Sequence, residues 1–565
     1  MLELITIPLM LKASASKYGS LTALRMKDRK GIYKEISYDS FYAYLQKISL
    51  FLVNSGIKHG DRVALLCENR PEWPMVYFGT TNIGAVIVPL DPKLESEELY
   101  TLLSDSGSQI VFASEELSNK IEKVRSRLPL LRKSVNIDSD LEEILTLPLD
   151  PCPLTLASVA PEDTAAIIYT SGTTGNPKGV MLTHKNLMSN VVGIDPLFWM
   201  IGPGDNFLSI LPNYHTFESM AGMFCPIFKG ASITYAESLK SYHLLNDMKE
   251  TKVSIICGVP LLYNLFLDGI KRQVDEKGLA AKLLFGVFLY ISKYFKVFLR
   301  INIGKLLFGT VQKGFGGNIR FFVSGGASLD PEVIKEFDLM GFTILQGYGL
   351  TETSPILSAC TLENNVFGSV GKPLPGIELK LHNINSDGVG EIIAKGPNIM
   401  KGYYKNPDAT AEAIRDGWFY TGDLGKFDSK GNLFITGRIK DLIVLGSGKN
   451  VYPDEIEFVL SKSPFIKEIC VFGAKIKEGI RSGMEEVRAV IVPDMDKMAD
   501  WVTKNNIELN DAVVYEIIGK EVESWGELLT PHKRIAKYYI ADGELPKTAT
   551  KKIKRFAVKE RYSNL

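Results

Sequence analysis

Cysteine is sparse in this chain of 565 residues, and the six that occur are scattered: Cys67, Cys152, Cys225, Cys257, Cys360 and Cys470. There is no CxxC pair and no nearby histidine at ligand spacing, so the cysteines do not read as a zinc site but as reduced thiols in a cytosolic protein. Excess charge of either sign is missing as well, with 65 Lys plus Arg against 65 Asp plus Glu. No overall field therefore favours nucleic acid, and any basic surface must be local. No apolar run approaches the ~20 residues needed to span a bilayer. The start, MLELITIPLMLKASASKYG, carries an acid at Glu3 and lacks a basic flank, and its apolar run ends by Leu11, so it does not read as a signal peptide. No repeat of solenoid period is visible.

What the chain does have is an ordinary globular composition, 45% hydrophobic and 23% charged, and a strand–helix alternation. Its length suggests about three or four domain-sized units. KEISYDSFYAYLQKISLFLVNSG reads as a strand entering an amphipathic helix, DRVALLCEN as a strand, and WPMVYFGTTNIGAVIVPL as a helix running into a strand at Ala85 to Pro89. This rhythm predicts a parallel α/β sheet.

The most informative stretch is YTSGTTGNPKGVMLTH, Tyr169 to His184. A buried strand, TAAIIY, precedes it, and a strand end passing into a helix follows. In the loop between them, Gly172, Gly175 and Gly179 let the backbone turn, Thr170, Ser171, Thr173 and Thr174 offer hydroxyls and N–H groups to phosphate oxygens, and Lys178 adds a positive charge. The spacing is not that of a Walker loop, because Pro-Lys-Gly follows the second glycine. Alone, such a loop is more often an ordinary surface turn than a phosphate site.

Two further glycine turns follow strands. FFVSGGASL is one, with Asp330 as N-cap and Pro331 opening the next helix; FTILQGYGLTETSP is the other. In a single parallel sheet, these turns and the Thr170 loop would gather at one edge. His215 ends another buried strand, GDNFLSILPNYH. DSKGNLFITG reads as a hairpin, and after Lys440 comes a glycine loop, a helix beginning near Pro453 and a strand.

Together these stretches resemble the AMP-forming acyl-adenylating superfamily of acyl-CoA synthetases, luciferases and peptide-synthetase adenylation domains. The match runs from about Thr22 to Arg555, with the motifs in family order, and is closest to long-chain fatty acid ligases. The resemblance implies a large N-terminal multi-sheet α/β domain, 1–439, and a small mobile α+β C-terminal domain, 440–565.

It also implies site roles. The Thr170 to Lys178 loop would hold the pyrophosphate of ATP. Gly325, Gly326 and Ala327 in SGGA would pass adenine and open the acyl pocket, where His215 of LPNYH also lies. In QGYGLTET, between Gly347 and Gly349, Tyr348 would lie against the purine; Thr351 would bond the α-phosphate and Glu352 would hold magnesium. Asp423 of YTGD would take the ribose hydroxyls, with Arg438 of GRIKD also at the nucleotide. Lys440 would be the hinge, and Gly446 and Gly448 would line the pantetheine channel. In PKTATKKIKR the adenylation lysine falls on Lys552, although Lys551 replaces the usual glycine and could share the role. The implied reaction makes an acyl-adenylate from a medium- or long-chain fatty acid and passes the acyl group to coenzyme A, or to acyl carrier protein through the same arm. A non-catalytic lipid- or nucleotide-binding relative is the other class. Phe217-Glu218-Ser219 also resembles the position where a peptide synthetase grips an amino group with an acid.

One stretch is set apart by what it lacks. No acid occurs between Glu276 and Asp330, while Lys293, Lys296 and Arg300 recur at helical spacing among aromatic and aliphatic residues. Residues 282–313 read either as core helices with a solvated lysine edge or as a peripheral membrane contact, at the inner face of a membrane.

Overall fold

A computed structural model describes residues 6–148, 159–170, 177–446, 449–476, 483–547 and 553–563. The chain divides into two compact units. One comprises Met1–Leu379, Ala394–Phe419 and Gly431–Leu433; the other comprises Lys380–Ile393, Tyr420–Lys430 and Phe434–Leu565.

The first unit is α/β, with two large sheets. In the seven-stranded sheet the order is Gly402–Tyr403, Lys178–Thr183, Thr164–Thr170, Val86–Pro89, Arg62–Leu66, Ile110–Ala113 and Lys133–Asn136. The last five are parallel to one another. Their short continuous apolar runs fit a sheet covered on both faces, and Leu65, Ile87, Phe112 and Ala166 are fully buried. Ser37 caps the helix Tyr38–Asn54 by accepting from Ser40 N, and Phe41, Leu45, Ile48 and Leu52 face inward at helical spacing. Helix Glu72–Thr81 crosses it closely at Gly79, where a Cβ would stand 2.8 Å from Ile48 Cγ2.

The nine-stranded sheet runs Lys372–Pro373, Ile356–Ala359, Ile344–Gly349, Phe321–Ser324, Ile255–Gly258, Asn206–Ser209, Ser232–Tyr235, Thr22–Lys27 and Tyr33–Ser37. Its six central members are parallel and its ends antiparallel. One expectation therefore changes. The Gly325 and Gly347 turns belong to this sheet and the Thr170 loop to the other, because Thr164–Thr170 pairs with Val86–Pro89 and Lys178–Thr183. The first strand–helix repeats are likewise shared between the two sheets.

In the second unit, strands Ile466–Lys475, Glu485–Pro493 and Lys537–Ile540 form a three-stranded sheet packed with helices Pro453–Leu460 and Asp511–Gly526. Most of the paired strands Trp418–Phe427 and Leu433–Arg438 also lies here, as the hairpin reading expects. Pro453 opens its helix without a side-chain cap.

The acid-free stretch departs from the helical spacing read for Lys293, Lys296 and Arg300 in its sequence. Helix Leu279–Tyr294 gives way to a π-turn, Phe295–Leu299, and ends on Arg300 at φ 57°. Arg300 is therefore off the helical row of Lys293, and Lys296 is held by Asp338 and lies over the Phe367 ring. Among the described residues, no helix is long and apolar enough to cross a membrane.

Candidate active site

Ser171, Gly172, Thr173, Thr174, Gly448, Lys551 and Lys552 lie outside the described residues, as does Cys152. The other five cysteines are buried free thiols.

The strands that flank the predicted phosphate loop pair antiparallel, with Thr170 opposite Lys178 and the Thr170 hydroxyl donating to Lys178 O at 3.5 Å. The Lys178 ammonium stands 5.0 Å from the centre of the Tyr403 ring. The Tyr403 hydroxyl in turn donates to Glu352 Oε1 at 2.9 Å. Burial and the adjacent Glu352 carboxylate raise the Tyr403 pKa, which keeps the phenol protonated as a donor. Lys178 and Glu352, 174 positions apart in sequence, are thus joined through one aromatic ring. Sequence reading missed Tyr403, because nothing in GYYKN points to a partner 51 residues away.

The turn that carries Thr351 and Glu352 is tightly made. A Cβ on Gly349 would fall 1.8 Å from Pro355 O, so the strand can turn here only on glycine. The Thr353 hydroxyl ties the turn by accepting from Leu350 N at 3.0 Å, and Met400 N donates to Glu352 O at 2.8 Å. Tyr348 is half-buried, opposite Ser358 in the antiparallel ladder, with Gly347 opposite Ala359.

Thr351 Oγ1 lies 3.4 Å from Thr216 Oγ1, next in sequence to His215. His215 Nε2 is buried and has no hydrogen-bond partner among the described residues; burial pushes the imidazole down to about 4, so it is neutral at physiological pH. On the far side of Thr216, the Phe217 ring covers Gly325, where a Cβ would stand 2.9 Å from Phe217 Cζ. Gly325 N donates to Gly258 O at 3.1 Å, Gly326 takes φ +80°, and Ala327 is exposed. Ser324 Oγ is buried and unpartnered among the described residues. One line of contacts in the first unit therefore runs from Lys178 through Tyr403, Glu352, Thr351 and Thr216 to Phe217 and Gly325.

Glu218, the residue compared with a peptide synthetase's amine-gripping acid, is enclosed by protein. Its carboxyl is fully buried, Oε1 accepts from Ser209 Oγ at 2.8 Å, and Oε2 has no partner among the described residues. Burial pushes it up to about 8, so the carboxyl is mostly protonated at physiological pH. Its folded value lies above the ordinary 4.5, so the stability it contributes is complete below pH 4.5 and is lost as pH rises towards 8. Glu218→Gln should flatten that decline, worth a few kcal/mol at most (~1.4 per pH unit). Thermal unfolding at pH 5 and pH 8 checks this, and parallel slopes in wild type and variant would contradict it.

In the second unit, the Asp423 carboxylate is almost wholly buried and Arg438 Nε lies 2.9 Å from its Oδ1. Lys440 is exposed on the single 3₁₀ turn Ile439–Asp441, and the Asp441 carboxylate accepts from Arg555 Nη1 at 2.5 Å. Gly446 packs against Met484, whose Sδ would be 2.4 Å from a Cβ.

Residues 11–404 match the AMP-binding enzyme family, and residues 440–565 match the AMP-binding enzyme C-terminal domain. The chain belongs to the AMP-binding enzyme family. Among similar members is the peroxisomal long chain acyl-CoA synthetase 7 of Arabidopsis thaliana, 31% identical over 88% of this chain and 73% of that one. A chloroplastic long-chain-fatty-acid–[acyl-carrier-protein] ligase of the same plant is 29% identical over 98% of this chain and 85% of its own. The ATP-bound crystal structure of MatB from Rhodopseudomonas palustris superposes with a TM-score of 0.77 at 26% identity, covering 99% of both chains. An AMP-binding enzyme of this architecture has a large N-terminal α/β part and a small C-terminal one.

Proposed function

We propose that this AMP-binding enzyme is an AMP-forming fatty acid:CoA ligase. The observation that carries the reading is the contact line from Lys178 to Gly325, which joins the predicted phosphate, metal and acyl positions in one unit. It is supported by relatives of similar extent named as long-chain acyl-CoA synthetases.

A carboxylate resists thiol attack because oxide is a poor leaving group. Its oxygen therefore attacks the α-phosphorus of ATP, the bond to pyrophosphate breaks, and the acyl-adenylate then gives its acyl group to the thiol with AMP leaving. The chain's part is positioning and charge neutralisation. The Thr170–Lys178 loop, with Ser171, Gly172, Thr173 and Thr174, holds the departing pyrophosphate, and Thr351 fixes the α-phosphate. Tyr348 with Gly347 and Gly349, and Gly326 with Ala327, border the adenine. Asp423 takes the ribose, with Arg438 oriented beside it. Lys552 bridges carboxylate and phosphate. Neutral His215 and the turn at Gly325 border the acyl group.

Magnesium suits Glu352, since the ion is commonly bound through one or two carboxylates and phosphate oxygens, and the Tyr403 hydrogen bond orients this single carboxylate. When bound, it would supply Lewis-acid stabilisation of phosphate charge.

Thioester formation needs a thiol where Lys552 acts. A pivot at Lys440, which lies near the start of the second unit's Phe434–Leu565 segment, would resolve the conflict by exchanging Lys552 for the Gly446 and Gly448 loop at the pantetheine. Lys440→Pro should leave pyrophosphate release within about twofold while lowering acyl-thioester formation roughly tenfold or more. Unchanged overall turnover would remove the pivot.

The second reading, transfer to acyl carrier protein, is favoured by the carrier-protein ligase among the relatives. Graded fatty acids crossed with coenzyme A and carrier protein test both: thioester on coenzyme A supports the first, thioester only on the carrier the second, and no pyrophosphate with any acid contradicts both. We place the enzyme in the cytoplasm, with peripheral contact at the inner membrane face through 282–313 and no nucleic-acid partner.

A further inference from the structure

Helix Leu279–Tyr294 is apolar on two opposite sides, and only one of them is covered. Phe285, Phe288 and Ser292 face inward, where both rings meet Phe308 at 5.3 and 5.9 Å between centroids and Ser292 Oγ donates to Leu339 O at 2.7 Å. The other side carries Leu283, Val287, Tyr290 and Tyr294 at the four–three–four spacing of a single helical stripe, continued by Val297 and Phe298 on the π-turn. These are among the most exposed large apolar residues described, with Leu283 at 72%, Tyr290 at 72% and Phe298 at 69%. Core helices would have buried this stripe. An isolated exposed leucine needs no explanation, but an ordered row of six does.

Charge indicates what covers it. No acid occurs from Lys277 to Leu329, and Lys293, Arg300, Lys305 and Lys313 are all exposed. Lys293 lies about a quarter turn from the stripe, where its stem can cover apolar surface while its ammonium reaches a headgroup. Lys296 is excluded from that role by Asp338.

We infer that the stripe Leu283–Val287–Tyr290–Tyr294, with Val297 and Phe298, beds into one leaflet of an anionic bilayer, and that Lys293 and Arg300 contact its headgroups. This makes the peripheral contact an interfacial helix lying flat, with its inner face still packed on the protein. The helix before it, Pro260–Glu276, starts two residues after Gly258, whose carbonyl accepts from Gly325. The lipid face and the proposed acyl turn are thus on neighbouring segments.

The test uses the whole protein with vesicles of phosphatidylcholine alone or with added phosphatidylglycerol, and reads co-sedimentation. Wild type should bind the anionic vesicles more tightly, and less so in high salt. Leu283→Ser with Val287→Ser and Phe298→Ser should weaken binding about tenfold or more. Lys293→Gln with Arg300→Gln should weaken it roughly fivefold per charge. Because all five side chains are exposed, melting temperatures should be unchanged, as should pyrophosphate release from a water-soluble medium-chain acid. Equal or absent binding to both vesicles overturns the inference. So does a stripe variant that binds vesicles normally but loses a concentration-dependent dimer by light scattering, which would assign the stripe to a second copy of the chain. Vesicle binding is read without turnover, so its failure is distinct from failure of the ligase reading.

Discussion

Glu352→Gln is expected to lower pyrophosphate release about 10²–10³-fold while leaving the fold intact. The carboxamide keeps the size of the side chain and can still accept from Tyr403, whose hydroxyl lies 2.9 Å from Oε1. What it loses is the anionic oxygen offered to magnesium, and with it the local neutralisation of phosphate charge. Tyr403→Phe separates orientation from charge. It leaves the carboxylate anionic but removes the donor, so a smaller fall of about 10–100-fold is expected. Excess magnesium should partly rescue Tyr403→Phe and not Glu352→Gln. Equal activity of wild type and Glu352→Gln at limiting magnesium would remove Glu352 from the metal position.

The second large effect is at Lys552. Lys552→Ala should reduce pyrophosphate release roughly 10³-fold, because no other group is assigned to bridge the attacking carboxylate and the α-phosphate. Thiolysis of supplied acyl-adenylate should survive largely intact. The residues on either side are firmly held: Lys547 pairs with Ile553 in a β-bridge, Lys554 N donates to Pro546 O at 2.7 Å, and Arg555 spans Asp441, Asp454 and Glu457. A substitution between these anchors should therefore act on chemistry more than on the fold. Lys551→Ala tests the shifted register. If it fails in place of Lys552→Ala, the catalytic lysine moves by one, and equal loss of both half-reactions in either variant contradicts the role.

Local structure was legible wherever a residue acts on its own neighbours. The strand Thr164–Thr170 shows as an apolar run with a polar loop behind it, and Asp330-Pro331 marks a helix start because cap and first turn are adjacent in sequence. Partition of strands between two sheets was not legible, since a run such as Phe321–Ser324 announces that it is buried without announcing its neighbour. Tyr403 was hidden for a similar reason, because its hydrogen bond to Glu352 depends on how distant loops meet. In Leu279–Tyr294 both faces are apolar, so periodicity alone could not say which was covered; Phe308 covers one and the other stays exposed. The glycines at 325 and 349 were visible as turns, but the close approaches that require them, of Phe217 and of the Pro355 carbonyl, appear only in three dimensions.

The most direct test of adenylate chemistry follows an oxygen atom. Fatty acid carrying ¹⁸O in its carboxylate is turned over with ATP and coenzyme A, and the products are weighed by mass spectrometry. The account predicts one ¹⁸O in AMP and none in pyrophosphate, because the carboxylate oxygen attacks the α-phosphorus and stays with it when the thiol takes the acyl group. Label in inorganic phosphate, or acyl-CoA formed with unlabelled AMP, would contradict it.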